Sequence, residues 1–218
     1  MLGSMGRLML IAGVSVLAGC QSTATGSQRG AAVEVTAEAR PEWQSVVNDE
    51  DAKRIADLDA AWREALAGVG RQARREGTLL VPSAALPKPA PSPGSYMCRL
   101  IRLGSARPRD PAFQAFKPFF CHVGVNEEQL SITKQTGSER PAGYLWDDTN
   151  KSRMIFLGTL ALGNEDAPLS YGEDPARNMA GVFERIGPLR YRLVVPRPRG
   201  TAKLDVIELV PAPVQSDE

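Results

Sequence analysis

Histidine, cysteine and net charge are all scarce in this sequence. The 218 residues include one histidine, His122, and three cysteines, and the formal net charge is +1. A single histidine excludes a histidine-rich zinc site and obliges any Ser-His-Asp or Cys-His mechanism to use His122. A nearly neutral chain has no overall field that would draw it onto nucleic acid, so we expect no nucleic-acid partner.

Familiar catalytic patterns are missing as well. The sequence lacks the Walker, G-x-S-x-G and H-E-x-x-H signatures. We therefore predict no cofactor, no metal site and no catalytic residue. His122 directly follows Cys121, and we expect it to lie on the opposite face of a strand from that cysteine, without a functional role.

Long apolar runs are also absent, and the one at the N-terminus is too short to span a bilayer. Arg7 is followed by apolar residues 8–18 and then by Leu-Ala-Gly-Cys at 17–20, which predicts a secretory signal over residues 1–19. This ending resembles the lipobox of bacterial lipoproteins, which implies that Cys20 is lipidated and anchors the chain to a membrane. Loss of Arg7 with the signal would leave 25 basic and 25 acidic residues.

Small polar residues follow Cys20. Residues 20–40 are rich in Thr, Ser, Gly and Gln, which predicts a flexible tether. The residue after the cysteine is Gln21 rather than an aspartate, which favours the outer membrane. We expect a lipid-anchored location in the bacterial cell envelope, facing the periplasm.

The other two cysteines lie on two strand-like runs, residues 96–101 and 119–123, with three prolines between them. With Cys20 assigned to lipid, Cys98 and Cys121 are an even pair in an exported chain, where disulfides persist. We predict a Cys98–Cys121 disulfide that contributes about 3 kcal/mol to stability.

Residues 41–218 are predicted to form one domain that begins with a helix. Asn48 or Asp49 can cap it, and apolar residues recur every three or four positions, which predicts a helix over 49–76 with Gly77 as its stop. Gly68 and Gly70 weaken its later turns. A proline-rich stretch, residues 82–94, then forms an extended connection that we call the proline strap.

Short strands at hairpin spacing follow the strap. Beyond the two cysteine runs, strands are predicted near residues 129–136, 142–146, 153–162, 181–186, 189–195 and 203–209. The predicted fold class is mainly β with an N-terminal helix (α+β), and about eight antiparallel strands over residues 95–211 form a small lipocalin- or calycin-like barrel or a sandwich. Residues 154–158 are apolar on both faces, which predicts a strand covered outside by the helix.

Several patterns in this region resemble a family of bacterial envelope proteins catalogued as a domain of unknown function, DUF4893. They are Pro-Gly-x-Tyr-x-Cys-Arg at 93–99, Gly-Ser-x-Arg-Pro-x-Gly at 137–143, Phe-Leu-Gly-Thr at 156–159, Tyr-Gly-x-Asp at 171–174 and Met-Ala-Gly-x-x-Glu-Arg-Ile-Gly-Pro at 179–188. The similarity spans residues 41–211. The chain departs from the family pattern at Glu139, where glutamine is common, and at Tyr191, where tryptophan is common. The family assigns no activity, so the resemblance implies export and fold only.

Basic and aromatic residues near the C-terminus supply the candidate binding surface. Six basic residues and no acidic one lie between Arg185 and Lys203. Because arginine and tyrosine dominate recognition patches, the predicted ligand-binding residues are Arg140, Tyr171, Arg177, Arg185, Arg190 and Arg192. They suit a non-catalytic module that binds an envelope protein or a small anionic ligand, or that inhibits a hydrolase.

Two other functions stay open at this point. A cell-wall hydrolase would need two carboxylates, and the candidates are Glu184 with Asp174 or Glu139. A purely structural envelope lipoprotein is the other alternative.

Overall fold

Antiparallel strands make up most of the described chain. The computed structural model describes residues 42–107, 109–163 and 165–213. Its strands are β1 (Gly94–Ser105), β2 (Phe113–Ala115), β3 (Phe119–Asn126), β4 (Gln129–Lys134), β5 (Glu139–Asp147), β6 (Arg153–Leu162), β7 (Asn178–Gly187), β8 (Arg190–Pro196) and β9 (Ala202–Pro211). The predicted signal, Cys20 and the tether lie outside the described residues.

The first and last strands pair with each other and close the sheet. β9 runs antiparallel to β1 from Tyr96↔Pro211 to Ser105↔Ala202. The other edge of β1 is shared, because β3 pairs with its first residues and the short β2 with residues 101–103. Eight strands therefore form a closed meander barrel with β2 beside it. The barrel prediction is confirmed and the sandwich is wrong; β2, with three residues, is the strand that the sequence pattern did not predict.

The two faces of the barrel wall bury two separate clusters. In β6, Met154 and Phe156 lie in the interior cluster, whereas Ile155 and Leu157 pack with the N-terminal helices outside. The alternation is the ordinary period of two, and both faces are apolar because both are covered. The prediction that the helical segment covers this strand is confirmed.

Three short helices replace the single predicted one. They are α1 (Asp49–Ala56), α2 (Leu58–Leu66) and α3 (Gly70–Arg75), followed by 3-10 turns at Gly77–Leu80 and Pro82–Ala84. The Asn48 cap is confirmed, since its side chain accepts from the Asp51 amide at 2.8 Å. The helix breaks at Asp57, with ψ of 11°, and again at Gly68, with φ of 88°. These breaks let the segment bend around the barrel, so that α1 contacts β7 and α2 contacts β9, β1 and β8.

The predicted disulfide is present and lies inside the barrel. Cys98 on β1 and Cys121 on β3 are joined, with their Cα atoms 6.0 Å apart. Both residues belong to the interior cluster and are buried. The bond therefore links two neighbouring strands through the core.

Two glycines let β5 and β6 approach closely. Gly143 pairs with Gly158 across the strands. A Cβ on Gly158 would lie 2.2 Å from the Ala142 carbonyl oxygen and 2.7 Å from the Gly143 Cα. Such contacts are backbone contacts, so side-chain rotation cannot relieve them.

We expect Gly158→Ala to lower the free energy of unfolding by about 2–3 kcal/mol, because the strands must move apart to admit the methyl group. Thermal unfolding monitored by circular dichroism measures this loss. Gly70→Ala is the matched control: a Cβ there meets only the Arg74 Nη1 atom, at 3.4 Å, within 4 Å. Equal melting temperatures for the two variants would contradict the close-approach interpretation.

Candidate functional site

The barrel wall opens at one end between β4 and β5. Their register pairs are Ser131↔Tyr144, Ile132↔Gly143 and Thr133↔Ala142, although β4 extends to Lys134 and β5 begins at Glu139. Pro141 directly precedes Ala142 in β5 and has no N–H to donate. The pairing therefore ends where proline interrupts it, and the strands separate beyond that point.

A cleft of about 420 Å³ lies outside this opening. We call it the seam cleft. It is lined by Thr133, Lys134, Gln135, Arg140, Ala142, Ala161, Glu165, Asp166 and Pro168. Its volume falls within the range of small-molecule sites.

On the inner side of the same opening, the barrel is filled. The void there has a volume of about 10 Å³ and is lined by apolar side chains such as Phe119, Ile132 and Phe156. That is about the size of one water probe. A ligand therefore has room in the seam cleft but not in this void.

Lys134 borders both the void and the cleft. Its ammonium nitrogen lies 4.5 Å from the centroid of the Phe119 ring. Burial lowers the pKa of Lys134, and the negative charge of Glu139 opposes this shift only in part. Within the described chain, Lys134 makes no ion pair, and the charge of Glu139 offsets its burial only in part.

Arg140 is held at the cleft by neutral groups. Its Nη1 atom donates to the Gly163 carbonyl at 2.9 Å, and its Nη2 atom donates to the Glu165 carbonyl. Among the residues that the structure describes, no carboxylate lies within ion-pair distance of this guanidinium. Its orientation is fixed, and the Glu165 carboxylate acts on its charge from beyond ion-pair distance.

The acidic wall of the cleft comes from the loop between β6 and β7. The Glu165 carboxylate is already occupied, since it accepts from the Leu162 amide at 2.9 Å and from Arg177 Nη1 at 2.6 Å. The Leu162 amide, Arg177 and, to a smaller extent, the charge of Arg140 lower the pKa of Glu165. The adjacent Asp166 is exposed and makes no ion pair within the described ranges.

The six predicted ligand-binding residues do not converge on one surface. Arg140 and Arg177 meet at Glu165, whereas Tyr171 lies at the start of α1, where its hydroxyl donates to Asp51 at 2.6 Å. Burial and this contact raise the pKa of Tyr171. Arg185 belongs to β7 and contacts the proline strap, where it donates to the carbonyls of Pro87 and Lys88. Of the six, Arg140 lines the seam cleft.

Arg190 and Arg192 share the outer face of β8, as predicted. Arg190 pairs with Glu208 and donates to the Thr78 hydroxyl at 3.0 Å. Arg192 is fully buried and donates to Glu184 Oε2 at 2.6 Å. A ligand could reach it only after residues 77–84, which cover it, had moved away.

The carboxylates of the hydrolase alternative are far apart. Glu184 lies on the outer face with Val182 and Ile186, whereas Glu139 shares the inward side of β5 with Pro141. Asp174 precedes β7, so strand geometry places it roughly 20 Å or more from Glu184. Glycosidase carboxylates are about 5 to 9.5 Å apart, and the geometry therefore does not support this alternative.

His122 is exposed on the outer face of β3, whereas Cys121 is buried inside. The predicted orientation is therefore confirmed. The part of the chain that the structure describes contains no group of three or more His, Cys, Asp or Glu residues placed to hold a metal ion.

The ligand-binding residues predicted from the sequence do not include Lys134 and Asp166, although both line the cleft. Pro141 was the available signal, because proline inside an otherwise regular strand cannot donate a hydrogen bond to one of the two neighbouring strands. The acidic wall depends on how a loop folds, and no short pattern encodes it.

Comparison with known proteins identifies a family. Neither a search of the curated proteins nor one of the solved structures gave a match. No helix among the described residues is long and apolar enough to cross a membrane. A family model described as a domain of unknown function matches residues 43–209, which is most of the chain. The chain therefore belongs to the DUF4893 family.

Proposed function

We propose that this protein is an exported, lipid-anchored protein of the bacterial envelope and acts as a non-catalytic binding module. The observation that carries the proposal is the seam cleft, where Lys134 and Arg140 present positive charge and neither forms an ion pair with a described residue. The closed barrel holds both cations on strands whose positions the filled core fixes. A preorganised site of this kind loses little conformational entropy when its ligand binds.

Export is supported by the cysteines. Disulfides such as Cys98–Cys121 persist in oxidising compartments and are rare in the cytosol. The segment that ends at Cys20 resembles a lipobox, and residues 20–40 have the composition of a tether. Gln21 favours the outer membrane.

A binding role also agrees with the chemistry of the site. The guanidinium of Arg140 is held by carbonyls and the ammonium of Lys134 by an aromatic ring, which suits both groups to hold a fixed anion. The bound species presents an anionic group to these cations and is an envelope protein, as for a hydrolase inhibitor, or a small ligand that carries such a group.

The test is photo-crosslinking in intact cells, with a photoreactive amino acid at Gln135, which is exposed and lines the cleft. We expect a defined mass increase of the full-length lipidated protein, detected by mass spectrometry. Lys134→Ala and Arg140→Ala should abolish it. Arg185→Ala is the matched control, because Arg185 also donates to carbonyls but does not line the cleft.

The same cells test the anchor. Cys20→Ser should move the protein from the membrane fraction to the soluble fraction. An adduct that survives the Lys134 and Arg140 replacements, or the lack of any adduct, would contradict the binding proposal. A Cys20→Ser protein that stays in the membrane fraction would contradict the anchor.

A further inference from the structure

We infer that the ligand of the seam cleft is a short peptide with free ends, whose carboxylate lies between Lys134 and Arg140 and whose ammonium group faces Asp166. This inference rests on the proposed function and names the ligand class of the same site. Its basis is the distribution of charge among the residues that line the cleft.

Among the described residues, the two cations of the cleft lack the close carboxylate that many arginines of the barrel have, as Arg185 also does. Eight described arginines have a carboxylate within 3.2 Å: Arg54, Arg99, Arg102, Arg153, Arg177, Arg190, Arg192 and Arg197. Arg140 and Lys134 have none in the described chain. An ammonium whose burial a more distant carboxylate offsets only in part gains from an anion that enters beside it. The two cations therefore leave a place for a carboxylate from outside the chain.

The opposite wall supplies negative charge. Arg177 and the Leu162 amide use the carboxylate of Glu165, so the Asp166 carboxylate is the one left to face a ligand. A purely anionic ligand would be repelled by Asp166, whereas a ligand with an ammonium group would be attracted. The cleft is thus complementary to a molecule that carries both charges.

The residues between the charged groups suit a peptide backbone. Thr133 and Gln135 offer a hydroxyl and an amide on the β4 side, and these can exchange hydrogen bonds with peptide groups. Ala142 and Ala161 contribute only methyl groups, so they leave space for a main chain. A cleft of about 420 Å³ is large enough for more than a single ion.

Triglycine is the probe, because it has both free ends and no side chain. We expect its titration into the isotope-labelled disulfide-bonded domain to shift the amide resonances of residues 133–135, 142 and 161 in a saturable manner. Triglycine amide, which lacks the carboxylate, should bind at least about tenfold more weakly, since a charged hydrogen bond is lost. N-acetyl-triglycine, which lacks the ammonium group, should bind several-fold more weakly. Binding should also raise the pKa of Lys134, measured from its side-chain carbon resonance.

Variants separate the two cations from the rest of the surface. Lys134→Gln and Arg140→Gln should each weaken triglycine binding about tenfold or more, whereas Arg185→Gln should leave it unchanged. The amide spectra of the unbound variants report whether they are folded. The inference is wrong if triglycine amide binds as well as triglycine, or if neither cleft variant weakens binding.

Two combined outcomes distinguish this inference from the proposed function. If triglycine does not bind but the adduct at Gln135 forms and depends on Lys134 and Arg140, the peptide inference is wrong and the binding module stands. If both experiments are negative, both proposals are wrong.

Discussion

Replacing Arg192 with methionine should lower the free energy of unfolding by about 3–5 kcal/mol. Removal of the guanidinium leaves Glu184 buried beside the helices without a counterion. It also removes the donors that satisfy the carbonyl oxygens of Leu79, Val81 and Pro82, which lie 2.8–2.9 Å from the Arg192 Nη atoms. Arg192 therefore holds residues 77–84 against the barrel. Its loss should loosen that segment and destabilise the domain.

Urea unfolding followed by tryptophan fluorescence measures this effect, because the Trp62 ring lies 5.0 Å from the Arg192 guanidinium carbon. Arg190→Met is the matched control on the same face of β8. Its partner Glu208 keeps a second ion pair with Arg99, at 2.8 Å, so the expected loss is below about 1 kcal/mol.

A second change locates the cause. Adding Glu184→Gln to Arg192→Met removes the unpaired charge and should restore part of the stability. Equal unfolding midpoints for Arg192→Met and Arg190→Met would show that the buried pair does not hold the segment in place.

Removing the disulfide with the double substitution Cys98→Ala and Cys121→Ala should lower the free energy of unfolding by about 3 kcal/mol. The bond closes a loop with a sequence separation of 23, and most of its effect comes from restricting the unfolded chain. Both side chains lie in the barrel interior, so loss of the sulfur atoms adds a small cavity to this cost.

Chemical denaturation of the oxidised protein, the reduced protein and the double alanine variant measures the contribution. The reduced protein controls for the cavity, because it keeps both sulfur atoms but lacks the bond. We expect it to unfold at a lower urea concentration than the oxidised form. Coinciding curves for the oxidised and reduced forms would contradict a stabilising crosslink.

Local patterns predicted the strands well. β6 was placed at residues 153–162, as the structure has it, because most of its residues are apolar and polar turns flank it. The helical segment was predicted as one helix because its apolar stripe is continuous, and the stripe is correct. The breaks at Asp57 and Gly68 leave that spacing nearly intact, so the pattern alone cannot reveal them.

Distant contacts account for what the sequence did not reveal. Closure depends on β1 meeting β9 about a hundred residues later, so the strand pattern favoured a barrel but left a sandwich open as the alternative. Arg190 and Arg192 were correctly placed on one face of β8. Arg192 is buried because residues 77–84, more than a hundred positions earlier, cover it. The sequence of β8 alone does not predict this contact.

The pairing of the first barrel strand with the last has a consequence for how quickly the protein folds. Closure must wait until β9 is available, since β1 uses β9 along most of its length. Contacts between such distant parts of a chain give a high contact order, and all-β domains of this kind fold in milliseconds to seconds. Until then, β1 and β8 each have an open edge that can pair with another chain. The interval before closure is therefore a stage at which these open strand edges can lead to aggregation.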